Sequence, residues 1–234
     1  MAAGDMVWDV LRDVVSARVA ETGRQALDII DVGGGTGGLA VPFAAMGHNV
    51  TVVDPSPDAL AAAQRRAAEA GARLTAVQGD AASLDAGAGA KTADLVICHN
   101  VLEYVDSPAD AMTAIAAVLR PSATVSVLAS NAVAAVLHRA LAGRFAEARQ
   151  LLDPGAEAGP PRRFTLPALI ALIEGAGLRA GQAHGLRIFG GLVPGVLLDG
   201  DAGAAEALRA LEEAAAATPP LRDIAAQLHV LGHR

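Results

Sequence analysis

Cysteine is all but missing from this chain. Cys98 is the single one in 234 residues, which excludes an intrachain disulfide and any cysteine-rich zinc site and fits a reducing, cytoplasmic setting. Aromatic residues amount to 3%, so core volume must come from Leu, Val and Ile. No run reaches the roughly 18 unbroken apolar residues of a membrane-spanning helix. The first ten residues carry Asp5 and Asp9 and lack the apolar stretch of a secretion signal. Basic residues are outnumbered, 18 to 25, for a net charge of −7. A broad nonspecific grip on nucleic acid needs a basic face for counterion release; this balance disfavours one while leaving room for a local basic patch. No His-Glu-x-x-His pattern and no cluster at metal-ligand spacing occurs, so no metal is expected.

Glycine, by contrast, is concentrated where it matters. Asp31-Val32-Gly33-Gly34-Gly35-Thr36-Gly37-Gly38 follows an apolar run, 27–30, and precedes Leu39-Ala40-Val41, which reads as a helix start. Strand, glycine turn and helix start together make a ligand cradle. Glycine supplies positive φ and lets a ligand approach bare backbone, and the free N–H groups of a helix start face what is bound. Two frames fit. Gly33-x-Gly35-x-x-Gly38 is the dinucleotide fingerprint, whereas Asp31-x-Gly33-x-Gly35-x-Gly37 is the loop of S-adenosylmethionine (SAM) enzymes.

The rest of the chain alternates regularly. Apolar residues at helical spacing predict a helix over Met6–Ala20, ahead of a strand over Leu27–Val32. A helix from Gly38 to about Met46, a strand over Asn49–Asp54 and a helix from about Asp58 to Ala70 follow, the last opened by Pro57. Leu74–Gln78 is the third strand, a loose Gly/Ala stretch spans 85–91, and Asp94–Cys98 is a strand apolar enough to be buried on both faces. Ser107 caps a helix over Ala109–Leu119, closed by Arg120-Pro121, before a strand over Thr124–Leu128. Beyond lie a helix over 131–142, an irregular stretch over 143–163 with turns at 153–155 and 159–161, and a helix over Pro167–Glu174 capped by Thr165. A strand over Leu178–Phe189, an Ala-rich helix over 202–217 with Leu208 and Leu211 facing inward, and a closing strand over Gln227–Leu231 complete the chain. Five strand–helix alternations call for an α/β, Rossmann-like doubly wound sheet with helices on both faces. No repeat or interdomain linker interrupts it, so residues 1–234 read as one domain. Ligands of such sheets sit beyond the carboxyl ends of the strands, where Asp31, Asp54, Asp80 and His99 all fall.

Those residues suit SAM. A carboxylate ending the second strand, Asp54, can accept both ribose hydroxyls, as it can for NAD. Asp80, ending the third, can accept from an adenine amino group while Ala81 N–H donates to a ring nitrogen. Asp31 can orient the amino-acid end. With Gly79-Asp80-Ala81 and Asp94-Leu95-Val96, this order resembles the class I SAM-dependent methyltransferases over about residues 25–130. The resemblance implies a seven-stranded sheet, mostly parallel with an antiparallel last strand.

A closer likeness extends further. Residues 98–108 (Cys-His-Asn-Val-Leu-Glu-Tyr-Val-Asp-Ser-Pro), Asn131, His138-Arg139, 142–145, 185–189 and 228–230 resemble the bacterial tRNA 5-carboxymethoxyuridine carboxyl methyltransferases. These enzymes methylate the modified uridine at the wobble position. The resemblance implies that Gly33, Gly34, Asp54, Asp80, Ala81 and His99 bind SAM, with Gly35 and Gly37 completing the loop. It places the acceptor side over about 131–200, with Tyr104, Asn131, His138, Arg139, Arg144 and Arg187 as candidate acceptor residues. Two features differ: about 27 residues precede the first strand, where the family has a longer arm, and Leu151–Glu157 stands where the family is lysine-rich. Arg139, Arg144, Arg149, Arg162 and Arg163 nonetheless form a basic set. A carboxylate acceptor is already ionised and needs no general base; a hydroxyl or amine would, and His99 and Glu103 are the candidates. A small-molecule carboxylate or hydroxyl as acceptor, a nicotinamide dehydrogenase, and a SAM-binding protein without catalysis are the alternative functions.

Overall fold

A computed structural model of the chain describes residues 3–84, 92–153, 160–193 and 202–234. Its centre is a seven-stranded sheet: β1 (Asp28–Val32), β2 (Asn49–Asp54), β3 (Thr75–Gln78), β4 (Ala93–His99), β5 (Leu119–Ser130), β6 (Arg179–Leu186) and β7 (Gln227–His233), in the order β3-β2-β1-β4-β5-β7-β6. Strands β1 to β5 pair in parallel, and β7 inserts antiparallel between β5 and β6. The closing segment is therefore the reversed strand expected. From β1 the chain winds outward to β3, then crosses back to β4, so the sheet reverses direction between β1 and β4. Loops leaving those two strands diverge and open a crevice at their carboxyl ends.

Strand periodicity divides the core. Ile29, Val52, Leu95 and Ile97 pack beneath α1 (Ala3–Thr22) and α2 (Ala40–Ala45), against Val7, Leu11, Val15 and Phe43. Their neighbours Ile30, Val32, Val96 and Cys98 face α4 (Pro108–Val118) and α7 (Leu166–Gly175), against Met112, Ile115, Leu169 and Ile173. Few aromatics take part; Trp8 on Phe43, centroids 4.7 Å apart, is one pair that does. Local signals set the helix starts: Ser56 caps α3 (Pro57–Glu69), Ser107 caps α4 and Thr165 caps α7, each accepting from the backbone N–H three residues on.

An ion cluster pins the opposite end of the sheet. Asp94, wholly buried at the start of β4, accepts from Arg18 (3.3 Å), Arg24 (2.6 Å), Arg120 (2.8 Å) and the Asp28 N–H (3.0 Å). One carboxylate thus ties α1, β1 and β5 to β4.

Four expectations require correction. Residues 143–163 are not irregular throughout: α6 (Phe145–Gln150) forms after α5 (Ala132–Leu141), starting where Gly143, at φ +74°, lets the chain turn. Arg120-Pro121 belongs to β5, which begins at Leu119 opposite Ala93. The strand expected over Leu178–Phe189 runs only from Arg179 to Leu186, because Arg187 turns to φ +56°. In α8 (Ala202–Ala215) Leu211 is 48% exposed; the inward side is carried by Glu212, which binds a neighbouring loop, and by Ala215. The expected loose stretch 85–91 and, of the expected turns, residues 154, 155 and 159 lie outside the described residues.

Candidate functional site

The glycine turn leaves β1 at Val32. Gly33, Gly35 and Gly37 all hold positive φ (+63°, +54° and +80°). A side chain at Gly33 would meet Val101 Cγ2 at 2.4 Å, and one at Gly34 would meet the Asp31 carboxyl at 2.7 Å. The turn is thus folded tightly between the segment following β4 and the carboxyl at the end of β1. Asp54, nearly buried at the end of β2, fastens it: Oδ2 accepts from Gly35 N–H and Oδ1 from Ser56 N–H, both at 2.9 Å. Asp31 lies underneath. Burial first, and repulsion from Asp54 second, raise its carboxyl to about 7, against the opposing effect of a hydrogen bond from Ala40 N–H.

The start of α2 differs from the expectation of N–H groups facing a ligand. Ala40 N–H goes to Asp31, and Val41 N–H goes to Gly37 O at 3.0 Å. A pyrophosphate would need such donors. Gly38, which completes the dinucleotide fingerprint, has nothing within 4 Å of an added side chain and so performs no close packing. The Asp31-Gly33-Gly35-Gly37 frame is the one in which each glycine has a conformational reason.

Beside the turn lies a cavity of about 560 Å³, lined from β1 by Gly33, from β2 by Asp54, beyond β3 by Gly79, Asp80 and Ala81, and after β4 by Asn100, Val101 and Tyr104. Its size and its mixture of apolar wall and few polar groups are those of a small-molecule site. Asp80 Oδ1 accepts from Ala82 N–H at 2.9 Å, which shapes the turn after β3. A larger hollow, about 720 Å³, runs along the middle of β1, β2 and β3 past Asn49, Thr51 and Thr75. It lies mostly below the strand ends and lacks the glycine turn.

Neither candidate base is among the residues lining the 560 Å³ cavity. His99 lies, partly buried, on the α1 side of the sheet, in register with Leu128, and is the first member of a relay that runs inward to the buried His229. His99 Nε2 and His229 Nε2 each lie 2.7 Å from Ser126 Oγ, and His229 Nδ1 lies 3.4 Å from His184 Nδ1. Burial lowers His99 to about 3 and holds His229 well below its usual value, so both rings are neutral. Glu103 is buried beneath the turn after β4; its Oε1 accepts from Ser130 N–H at 2.8 Å, and Oε2 has no partner. Both side chains are hydrogen-bonded to groups of the scaffold beside the cavity.

A second cleft, about 590 Å³, gathers most of the candidate acceptor residues: Asn131, His138, Arg139, Arg144 and Arg187, joined by Arg163. Tyr104 instead stands at the mouth of the first cavity, 66% exposed. Asn131 has its side chain fully engaged, capping α5 through Val133 N–H and donating to the carbonyls of Asp223 and Ala225. Arg162 leaves the basic set, since its guanidinium donates to the carbonyls of Val105 and Asp106 at the lip of the first cavity. Gln227 was not foreseen. It accepts from Arg187 at 2.9 Å and donates to Asn100 at 2.6 Å, linking the two openings. A glutamine opening a last strand carries no sequence signal for that task.

Sheet order, reversed last strand and glycine turn define a doubly wound α/β fold with a nucleotide cradle at its switch point. The profile of the family described as "Methyltransferase domain" matches residues 29–122. A ubiquinone biosynthesis O-methyltransferase of Xanthomonas axonopodis pv. citri is 31% identical over 179 residues, 74% of this chain and 70% of the relative. The chain belongs to the SAM-dependent methyltransferases. The tRNA 5-carboxymethoxyuridine methyltransferase of Escherichia coli K12 is 32% identical over 141 residues, 60% of this chain; the match spans about half of that relative, 52%. Among solved structures, a magnesium protoporphyrin IX methyltransferase from Synechocystis PCC 6803 with bound S-adenosylhomocysteine (SAH) shares the fold, with TM-score 0.61, 17% identity and coverage of 97% of this chain and 83% of that one.

Proposed function

We propose that this protein transfers the methyl group of SAM to an oxygen acceptor, the carboxyl group of 5-carboxymethoxyuridine in tRNA. The observation that carries the cofactor half is the convergence of Gly33, Asp54, Asp80 and Ala81 on one cavity. A carboxylate offers about four lone-pair sites, and Asp54 uses one on each oxygen for backbone, which leaves sites for a ribose diol. Asp80 is the acceptor for an adenine amino group, and Ala81 N–H the donor to the ring. Gly34, Gly35 and Gly37 give the turn its shape, and Asp31 supports it from below. His99, bonded to Ser126, positions the end of β4. SAM supplies a methyl group already activated on a sulfonium sulfur. The protein's share of the work is alignment and exclusion of water, which can account for a large part of the barrier.

An ionised carboxyl acceptor fits a site in which neither His99 nor Glu103 lines the cavity, because no proton has to be removed. The relative in E. coli acts, by its name, on that nucleoside. The Xanthomonas relative, matched over more of both chains, favours a second reading in which the acceptor is a small-molecule hydroxyl or carboxylate. We take residues 1–234 as one domain, since the acceptor side adds β6 and β7 to the same sheet. We place it in the cytoplasm: Cys98 is buried and unpaired, and no helix among the described residues is long and apolar enough to cross a membrane.

Incubation with methyl-labelled SAM and a cell extract, split into RNA and small-molecule fractions, tests the assignment. Label in tRNA, released by mild base as a methyl ester should be, supports the first reading. Label only in small molecules supports the second, and no label in either, with SAH bound, leaves a SAM-binding protein without catalysis.

A further inference from the structure

The arginine cleft is built in a way that mere surface charge is not. Its guanidinium groups come from three separate parts of the chain: Arg139 and Arg144 around the end of α5, Arg163 ahead of α7, and Arg187 after β6. Gathering like charges from distant segments costs energy that nearby counter-charges have to offset. Glu147 offsets part of that cost, pairing with Arg139 at 3.7 Å and with Arg144 at 3.5 Å, one carboxylate shared by two guanidinium groups. The far wall is backbone. Glu212 of α8 fixes it by accepting from the N–H groups of Ile188 (2.7 Å), Phe189 (2.8 Å) and Gly190 (2.7 Å). A side chain at Gly191 would crowd His138 Nε2 at 3.1 Å, so glycine keeps the histidine's edge open to the cleft.

Two struts connect this cleft to the cofactor cavity. In one, Arg187 donates to Gln227 and Gln227 to Asn100, which lines the cavity. Both ends of that strut have φ of +56°, and they are two of the three non-glycine residues with positive φ among the described residues. Such backbone persists where the surroundings over-determine it, commonly at functional sites. In the other strut, Glu103 holds Ser130 N–H of the cleft and, through its own carbonyl, Arg162 N–H at 2.8 Å. Arg162 then braces the carbonyls of Val105 and Asp106 at the cavity's lip, while the next residue, Arg163, lines the cleft.

We propose that the arginine cleft is an oxyanion subsite for the acceptor, and that Gln227 is a positioning residue that couples it to the cofactor cavity. A guanidinium fork matches phosphate and carboxylate oxygens equally, so the anion is either a phosphodiester of the acceptor RNA or a carboxylate. The acceptor assignment rests on the proposed methyl transfer; the anion site does not.

The test uses the full chain with inorganic phosphate and acetate as probes, titrated at constant ionic strength, alongside calorimetry with SAH. Saturable binding of either probe is expected, weakened about tenfold or more by Arg139→Gln and by Arg144→Gln, the loss of one charge-assisted contact. SAH affinity should stay within twofold in both variants. Displacement of bound phosphate by a short single-stranded RNA identifies the phosphodiester source, and preference for acetate the carboxylate. Absence of saturation by either probe, with SAH still bound, overturns the subsite and leaves the methyltransferase reading standing. Saturation without SAH binding does the reverse. For Gln227, the probe should shift wild-type SAH affinity by about fivefold, as linked sites do, and Gln227→Leu should bind each alone but lose the shift. A wild type without that shift, or a Gln227→Leu variant that keeps it, overturns the coupling.

Discussion

Replacing Asp54 by Asn tests the cofactor assignment most directly. The carboxylate has both oxygens on backbone N–H groups, Gly35 and Ser56, each at 2.9 Å. Asparagine keeps one acceptor oxygen and turns an NH2 toward the other N–H, so one backbone donor is left facing a donor. Leaving a buried group unsatisfied costs about 1–3 kcal/mol, which should lower the melting temperature by several degrees. The second effect falls on the ligand. A hydrogen bond to a charged group contributes about 1.5–3 kcal/mol, and about 1.4 kcal/mol is a decade in affinity. SAH affinity should therefore fall by roughly ten- to a hundredfold. Asp54→Ala, which removes both oxygens, should fall at least as far. Isothermal calorimetry with SAH gives the affinity, and scanning calorimetry gives the stability. If Asp54→Asn melts several degrees lower yet binds SAH within twofold of wild type, the carboxylate only fastens the turn. The ribose contact, and with it the placement of the nucleoside in this cavity, would then be refuted.

Other substitutions separate further parts of the argument. Gly33→Ala should abolish SAH binding, because its methyl meets Val101 Cγ2 at 2.4 Å in a left-handed backbone, whereas Gly38→Ala should bind normally; equal losses would restore the dinucleotide frame. Asp94→Asn should destabilise by about 3–5 kcal/mol, the usual consequence of breaking a buried ion cluster, with chemical denaturation as the measure and an unchanged midpoint as the contrary result. Asp31, raised to about 7 by burial, favours its protonated form in the folded state, so its contribution is complete below the unfolded value near 3.8 and is lost as pH rises toward 7. Asp31→Asn should flatten that part of the stability profile. The buried histidines act in the opposite sense: His99, lowered to about 3, and His229 stabilise above their unfolded value of about 6.5 and lose that stability as pH falls below it. His229→Gln should therefore reduce the acid sensitivity of the melting temperature between pH 7 and 5, and an unaltered slope would argue against a neutral buried relay.

The fold was legible where its causes are local. Asn49–Asp54 is a strand in both readings because β-branched residues run unbroken between two turn signals. Ser107 and Thr165 announced their helices, since a cap acts within three residues. That Gly33, Asp54, Asp80 and Ala81 meet at one cavity was legible for a related reason. Its residues sit at the ends of strands, and strand ends follow from periodicity. What could not be read depends on contacts between distant segments. Asp94 looked like the first residue of an apolar strand, and only folding brings Arg18, Arg24 and Arg120 to it. His99 and Glu103 looked like bases because their type and position suited the task. Their orientation, toward Ser126 and toward Ser130 N–H, depends on register across β5 and β7. Gln227 reaches Asn100 across 127 positions of sequence, a separation no motif spans.

Net charge illustrates the same division and bears on the acceptor. At −7 the chain repels polyanions on average, and the cofactor cavity is itself lined by Asp54, Asp80, Asp106 and Asp110. Those carboxylates suit a ligand that carries a sulfonium and an ammonium. They oppose an acceptor that is itself a carboxylate, since like charges brought together at a partly dry site repel strongly. An anionic acceptor therefore needs a compensating grip close by, within the roughly 8 Å over which salt leaves charges visible to one another. The cleft of Arg139, Arg144, Arg163 and Arg187 joins the cavity through Gln227 and supplies positive charge on that side. On the proposed reading, acid on the cofactor side and base on the acceptor side would orient the two reactants in opposite senses, a polarity that a sum over the whole chain conceals.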